Sequence, residues 1–380
     1  MKRVIVSGGG TSGHVYPALA LAAELTGGGV EVAYVGSAGG PERALAADAG
    51  LPFEPLDVIG LERRIGWRTL VAGGKLAAAV ARCAGILARW RPEAVVVTGG
   101  YVGLPVALAS RLRGYPLVLH EQNAVLGLAN RIASRFARAV ALSFPGDLGL
   151  GAKAHVVGNP VRPAIAALLD DAARDTARVQ ALAEFGLEPG RRTLLLAGGS
   201  QGARRINEAA AGLYDRWRAD DRVQVLQLAG ARNAEAVAAA LAALRRPEDR
   251  VVWNATAYTT RMDLAYAVAD LAICRAGAST IAELEAAGVP AVLVPYPYAT
   301  EDHQARNADV LERAGAALAV PDDALDAARL TELAERLLFD APVLERMRGA
   351  MRALARPDAA ARLADVVRGA AGAARPAEPA

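Results

Sequence analysis

Between Asp270 and Gly288 the chain reads DLAICRAGASTIAELEAAG. The apolar run Leu271 to Cys274 predicts a buried strand, and Ala276-Gly277-Ala278 turns it into a helix opened by Ser279 or Thr280. The first amides of such a helix have no intrahelical partner and stand at the positive end of its dipole, a setting that suits a phosphate. Glu283 follows in the first turn. A carboxylate repels phosphate but accepts both hydroxyls of a ribose cis-diol, so the two features together fit a nucleotide with its ribose over Glu283. Thr280 and Glu283 also have the spacing of a capping box, and this stretch alone does not separate the two readings.

A second glycine turn, Gly198-Gly199-Ser200-Gln201-Gly202-Ala203, follows the strand expected at Thr193 to Leu196 and opens another helix. Glycine lets a backbone approach a pyrophosphate, and Ser200 and Gln201 can donate to its oxygens. The turn lacks the Gly-Lys-Ser/Thr ending of an ATPase phosphate loop and the G-x-G-x-x-G spacing of a dinucleotide fold. Two such turns in one half of the chain point to nucleotide binding where one would not.

The first half has its own loop, Gly8-Gly9-Gly10-Thr11-Ser12-Gly13-His14, with Gly99-Gly100-Tyr101 further on. His14 stands just before a helix. There it can cap or pack, or, as a neutral imidazole near pH 7, take a proton from an attacking hydroxyl. Three of the four histidines, His14, His120 and His303, lie in polar strand-end motifs, which core histidines would not favour. In His120-Glu121-Gln122-Asn123 the histidine can pair with Glu121 or the motif can hold an acceptor; a purely structural loop is the alternative. No Asp-x-Asp pair and no His/Cys cluster has ligand spacing, so no metal site is expected. The charge of a departing diphosphate would then fall to backbone amides, helix dipoles and an arginine such as Arg162. Losing one such donor typically costs roughly 3–4 kcal/mol.

These loops need a frame. At 380 residues and 53% hydrophobic, the chain can bury two cores. Strands are expected at 4–6, 30–35, 95–97, 117–119, 139–142 and 155–157, alternating with helices. After a helix-rich connector the rhythm restarts at 193–196, 223–228, 251–253, 271–274 and 291–294. Alternation with glycine loops at strand ends predicts two α/β domains, each a parallel sheet between helices, facing each other with ligands where the carboxyl ends converge. The expected division is a first domain over 1–157, a connector over 158–190 and a second domain over 191–345. A helical segment over 346–369 would pack back on the first domain, and 370–380 form a disordered Ala/Pro-rich tail.

The net charge of +3 is mild; it allows anionic ligands or an anionic membrane surface. Nucleic acid fits poorly, since aromatics are only 5% and no Lys/Arg block is interleaved with them. Cys83 and Cys274 look like small core residues of a cytosolic protein. Val4 to Val6 is too short for a signal peptide, and Lys75, Arg82 and Arg89 interrupt the apolar window Leu70 to Trp90. That window cannot span a bilayer cheaply. Arg63 to Arg68, with Ile65 and Trp67, followed by Leu70, Leu76, Val80 and Leu87, suits an anionic membrane face or, equally, a solvated loop above a core helix.

Seven motifs in order, GGGTSGH at Gly8, GGYVGLP at Gly99, HEQNAVLGLAN at His120, GNPVR at Gly158, GGSQGARRIN at Gly198, CRAGASTIAELEAAGVPA at Cys274 and EDHQARNA at Glu301, together resemble the MurG glycosyltransferase family. The resemblance runs over nearly the whole chain up to the tail. It implies a GT-B architecture, two Rossmann-like domains facing across a cleft. The implied activity is inverting, metal-independent and cofactor-free transfer of N-acetylglucosamine from UDP-N-acetylglucosamine to the C4 hydroxyl of undecaprenyl-pyrophosphoryl-N-acetylmuramyl-pentapeptide (lipid I), forming lipid II. The implied location is peripheral, on the cytoplasmic face of the cell membrane and its anionic surface, with room for contacts with other cell-wall synthesis proteins.

By the same resemblance His14 is the general base or an acceptor contact. The donor would meet Thr11, Ser12 and Gly13 in the first loop, Arg162, and Ser200, Gln201 and Gly202 at the pyrophosphate. Met262 would lie on the uracil side, Ala278 and Ser279 at the helix opening, Glu283 on the ribose, and His303 and Gln304 on the sugar. Tyr101, His120, Glu121 and Asn123 would serve the acceptor or the inter-domain surface. Three positions depart from the pattern: Ser12 replaces a usual glycine, Gly103-Leu104 a usual Ser-Gly, and His303 a common glutamine, although a histidine still donates one hydrogen bond. A UDP-N-acetylglucosamine 2-epimerase, with the same architecture and donor, and a non-catalytic nucleotide-sugar sensor are the competing readings.

Overall fold

In the structure, a computed structural model, residues 1–57, 67–199 and 202–372 are described. They form two compact units, Met1–Val161 with Asp358–Ala380, and Arg162–Pro357.

The first unit is built on β1 (Arg3–Ser7), β2 (Glu31–Ser37), β3 (Phe53–Leu56), β4 (Ala94–Val97), β5 (Leu117–Glu121), β6 (Ala139–Leu142) and β7 (Ala154–Val156). All pair in parallel, in the order β3-β2-β1-β4-β5-β6-β7. Side chains along β1 alternate between the two faces, as a strand's period of two requires. Val4 and Val6 join Leu21, Leu25, Leu363 and Val367 on one side; Ile5 joins Cys83, Ile86 and Leu87 on the other. Leu363 and Val367 belong to the helix Ala359–Gly372, so the end of the described chain returns to close the first unit's core.

The second unit repeats the plan with β8 (Arg192–Ala197), β9 (Val223–Leu228), β10 (Val252–Thr256), β11 (Leu271–Cys274), β12 (Ala291–Leu293) and β13 (Ala317–Ala319), in the order β10-β9-β8-β11-β12-β13. From Arg162 onward the segment expected as a connector belongs to this unit. Its helix Asp171–Glu184, opened by Asp170 accepting from Ala173 N at 2.9 Å, packs on the helix Met262–Val268. The helix Ala341–Leu354 also stays here, against Ala278–Ala287.

In both sheets the strand order reverses beside the first strand. Ser7 lies opposite Val97, and Ala197 opposite Cys274, so the loops after β1 and β4, and those after β8 and β11, leave each sheet side by side. Parallel sheets bind ligands at such switch points.

Two expectations change. The sequence pattern showed no strand at β3, where Glu54 and Pro55 break the apolar run; β3 is an edge strand, and an edge tolerates proline. On the helix Trp67–Trp90, Leu87 is buried in the sheet's own core and the half-buried Val80 packs against it, so the apolar set expected to suit a membrane face is in part used within the unit. Arg63 to Gly66 lie outside the described residues. Among the described residues no helix is long and apolar enough to cross a membrane.

Candidate active site

At the first switch point the loop after β1 leads into the helix Ser12–Gly27, with Thr11 at its N-cap. The Thr11 carbonyl accepts from the amides of His14 (3.1 Å) and Val15 (3.3 Å), and Ser12 and Gly13 form the first turn. His14 is held at both ends by Thr98, the buried residue that follows β4. The Thr98 hydroxyl donates to the His14 carbonyl at 2.7 Å, and the Thr98 carbonyl lies 3.1 Å from His14 Nδ1. Close approach makes glycine necessary here. Gly99 has φ +111°, and a Cβ on it would sit 2.9 Å from His14 Nδ1. Tyr101, exposed at 61%, crowns this turn.

His14 Nδ1 also lies 3.0 Å from Gln122 Oε1, and Gln122 Nε2 lies 2.9 Å from His120 Nδ1. His120 Nε2 faces the Gly158 carbonyl at 3.0 Å. Burial pushes the His120 imidazole down to about 4, and the nearby His14 adds to the effect. The HEQN motif is thus half strand, because β5 extends through Glu121, and His120 does not pair with Glu121. Glu121 instead clamps the following loop. Its Oε1 accepts from Asn123 N (3.0 Å) and Nδ2 (3.1 Å), and its Oε2 from Gly127 N (3.0 Å) and Asn130 Nδ2 (2.9 Å). His120, Glu121 and Asn123, expected at the acceptor or the inter-domain surface, are bonded within their own unit, and His120 and Glu121 are buried.

In the second unit, Gly277 is the N-cap of the helix Ala278–Ala287 and caps with no side chain. Thr280 therefore lies inside the helix and Glu283 in its second turn, which removes the capping box. Ser279 Oγ is buried with no hydrogen-bond partner among the described residues. Arg162, at the N-cap of the short helix Pro163–Ala166, donates to Glu283 Oε1 at 3.1 Å, and the Tyr266 hydroxyl donates to Oε2 at 2.9 Å. Burial raises the Glu283 carboxyl above its ordinary range, with Arg162 and Tyr266 pulling the other way. Met262, half-buried, begins the helix that carries Tyr266.

Gln304 and Asn307 stand on the helix His303–Arg313. Gln304 Oε1 accepts from Tyr296 N at 2.9 Å, and Asn307 Nδ2 donates to the Ala276 carbonyl at 3.1 Å, so this helix steadies the turn after β11. His303 Nδ1 lies 2.7 Å from the Thr300 carbonyl. After β8, Gly202 has φ +75°, and its amide closes on the Gly199 carbonyl at 2.9 Å. Ser200 and Gln201 lie outside the described residues.

Within the first unit, His14 and the HEQN motif come together; within the second, Arg162, Glu283 and the helix opening do. Sequence reasoning missed Thr98, Gln122 and Tyr266. A threonine directly before Gly99-Gly100 and the amide inside HEQN were visible signals. Tyr266 sits in an apolar helical run that gave none. Cys83 and Cys274 are free and buried, and burial pushes both thiols up to about 12, which leaves neither as a nucleophile.

Two parallel sheets flanked by helices, each with glycine turns at its switch point, form the two-domain α/β architecture called GT-B, found in many glycosyltransferases. The family models agree: residues 4–142 match the glycosyltransferase family 28 N-terminal domain, and residues 193–363 match its C-terminal domain. The chain belongs to glycosyltransferase family 28, among the MurG enzymes. It is 37% identical over 364 residues to a UDP-N-acetylglucosamine–N-acetylmuramyl-(pentapeptide) pyrophosphoryl-undecaprenol N-acetylglucosamine transferase of Halothermothrix orenii, covering 93% of this chain and 95% of that one. A relative of the same name from a Nocardioides species is 44% identical over 373 residues, covering 96% and 97%. Among solved structures, Acinetobacter baumannii MurG superposes with a TM-score of 0.79 at 31% identity, over 97% of this chain and 100% of that one. A solved UDP-N-acetylglucosamine 2-epimerase reaches a TM-score of 0.67 at 16% identity over 100% and 98%, a likeness of fold alone. Family membership makes the chain an enzyme that transfers sugars, against the epimerase and sensor readings.

Proposed function

We propose that this enzyme transfers N-acetylglucosamine from UDP-N-acetylglucosamine to the C4 hydroxyl of lipid I, with inversion and without a metal, giving lipid II. The observation that carries the reading is the near full-length match to relatives named for that transfer. The local geometry supports it. His14 Nδ1 faces two oxygens, so the ring's other nitrogen, Nε2, is the one left with a lone pair. The C4 oxygen attacks the anomeric carbon while its proton passes to Nε2. The bond from that carbon to the β-phosphate oxygen breaks, and its electron pair leaves with UDP. One displacement inverts the centre.

On the donor side, the free amides of the helix opening at Ala278 and the unpartnered Ser279 hydroxyl suit the diphosphate, together with Ser200, Gln201 and Gly202. Glu283, held by Arg162 and Tyr266, faces the ribose; Met262 serves the uracil, and Gln304 with His303 the sugar. Thr11, Ser12 and Gly13 also meet the donor, and Tyr101 serves the acceptor. The protein works at the cytoplasmic face of the cell membrane as a peripheral enzyme, drawn to anionic lipid by the segment from Arg63 to Arg68, where other cell-wall synthesis proteins are its neighbours.

The test is transfer of radiolabel from UDP-N-acetylglucosamine to a short-chain lipid I analogue, with and without chelator. A disaccharide product in both arms is expected. Formation of UDP-N-acetylmannosamine from donor alone, or of free N-acetylmannosamine and UDP by its hydrolysis, would point to epimerisation instead.

A further inference from the structure

Two main-chain carbonyls fix every proton in the chain of groups that runs from His14 to His120. A carbonyl oxygen only accepts. The Thr98 carbonyl, 3.1 Å from His14 Nδ1, therefore requires a proton on that nitrogen, and the Gly158 carbonyl, 3.0 Å from His120 Nε2, requires one there. The buried and neutral His120 then has a bare Nδ1, which must receive a donor. Gln122 stands between the two rings with one orientation that satisfies both ends. Its Nε2 donates to His120 Nδ1 at 2.9 Å and to the His120 carbonyl at 3.2 Å, and its Oε1 accepts from His14 Nδ1 at 3.0 Å. Gln122 is 2% exposed, with its amide donors and acceptor all engaged, so turning the amide over would set donor against donor at His14 and acceptor against acceptor at His120. His14 Nε2 makes no hydrogen bond among the described residues.

We propose that Gln122 is a positioning residue. Locked by His120, its amide oxygen holds the proton of His14 on Nδ1, so that the lone pair stands on Nε2, the atom that takes the acceptor's proton. The inference rests on the reading of His14 as the general base. It adds that the base is aimed by a neutral amide between two histidines, where many hydrolases use a carboxylate. A carboxylate at this position would hold the imidazolium after proton transfer; a neutral amide orients the ring without trapping the proton.

The first readout needs no variant. Long-range nitrogen–proton correlation spectra of the whole protein, labelled at histidine nitrogen and assigned with His14→Ala, should show His14 protonated at Nδ1 and bare at Nε2. The opposite tautomer would overturn the proposal. In transfer assays Gln122→Met should lower kcat on the order of 100-fold, a part of what general base catalysis supplies, with KM for UDP-N-acetylglucosamine within about twofold. Gln122→Glu, which leaves an acceptor facing His14, should recover part of that loss and move the acid limb of the pH–rate profile upward, because a carboxylate favours the charged imidazolium. If His14→Ala abolishes transfer while both Gln122 variants keep the wild-type kcat and pH profile, the positioning role fails and the base role stands. If His14→Ala retains wild-type kcat, the base reading itself fails.

Discussion

Arg162 and Glu283, 121 residues apart in sequence, meet in an ion pair of 3.1 Å at the second unit's switch point, and Tyr266 completes the arrangement from the other carboxylate oxygen. Each carboxylate oxygen can accept a further hydrogen bond. If they accept ribose hydroxyls, Glu283→Ala should weaken UDP binding by about 10- to 100-fold, since a hydrogen bond to a charged group contributes about 1.5–3 kcal/mol. Tyr266→Phe removes one hydrogen bond yet keeps the ion pair, so it should lower stability by about 1 kcal/mol and leave the affinity within about threefold. Titration calorimetry with UDP separates the two. Unaltered binding by Glu283→Ala would confine the carboxylate to holding Arg162 and Tyr266.

His120 makes the first unit sensitive to acid. Its imidazole is pushed down to about 4 in the folded protein, chiefly by burial, against about 6.5 in an unfolded chain. Between those values the unfolded chain binds a proton that the folded one refuses. Stability contributed by the neutral ring is therefore complete above about pH 6.5 and is lost as pH falls toward 4, by up to about 3 kcal/mol. Urea denaturation followed at steps from pH 7 to pH 4 should show this slope, and His120→Asn should flatten it. Parallel curves for the two proteins would mean that His120 does not titrate in this window.

Much of this frame was legible because buried parallel strands are written as short unbroken apolar runs. Val4 to Val6, Leu271 to Cys274 and the glycines after them identify a strand, a turn and a helix N-terminus without reference to anything distant. What could not be read is what depends on pairing across the sheet. Gln122 acquires its meaning only when β4 and β5 lie side by side and bring Thr98 and His120 around His14. Glu283 reads as half of a capping box until the helix is seen to begin two residues before Thr280. The domain boundary was hidden for the same reason: the helix Ala341–Leu354 has the pattern of any amphipathic helix, and only its packing on Ala278–Ala287 shows that it belongs to the second unit.

Glu121 accepts four hydrogen bonds from Asn123, Gly127 and Asn130, a pattern that predicts a structural carboxylate rather than a reactive one. Glu121→Gln keeps the shape but turns one acceptor into a donor facing other donors. The cost should be about 2–3 kcal/mol, one or two buried donors left unpaired. Thermal melting should fall by several degrees, whereas kcat measured well below the transition should change only a few-fold. A loss beyond about 100-fold in a variant that melts normally would place Glu121 at the chemistry after all.

Gly99 tests the first switch point from the backbone side. Its φ of +111° is a conformation that other residues rarely adopt, and an added Cβ would press on the His14 ring 2.9 Å from Nδ1. Gly99→Ala therefore has two effects, backbone strain of about 1–3 kcal/mol and displacement of an imidazole whose placement sets proton transfer. The ring can yield only by leaving the Thr98 carbonyl and Gln122, because Thr98 also grips the His14 main chain. The expected outcome is a fall in kcat of about 10-fold or more, with UDP affinity unchanged because the turns proposed for the diphosphate belong to the other unit. Steady-state kinetics beside UDP calorimetry on the same preparation reads both quantities. A variant that loses UDP binding while retaining kcat at saturation would assign the Gly99 turn to the donor rather than to the placement of His14.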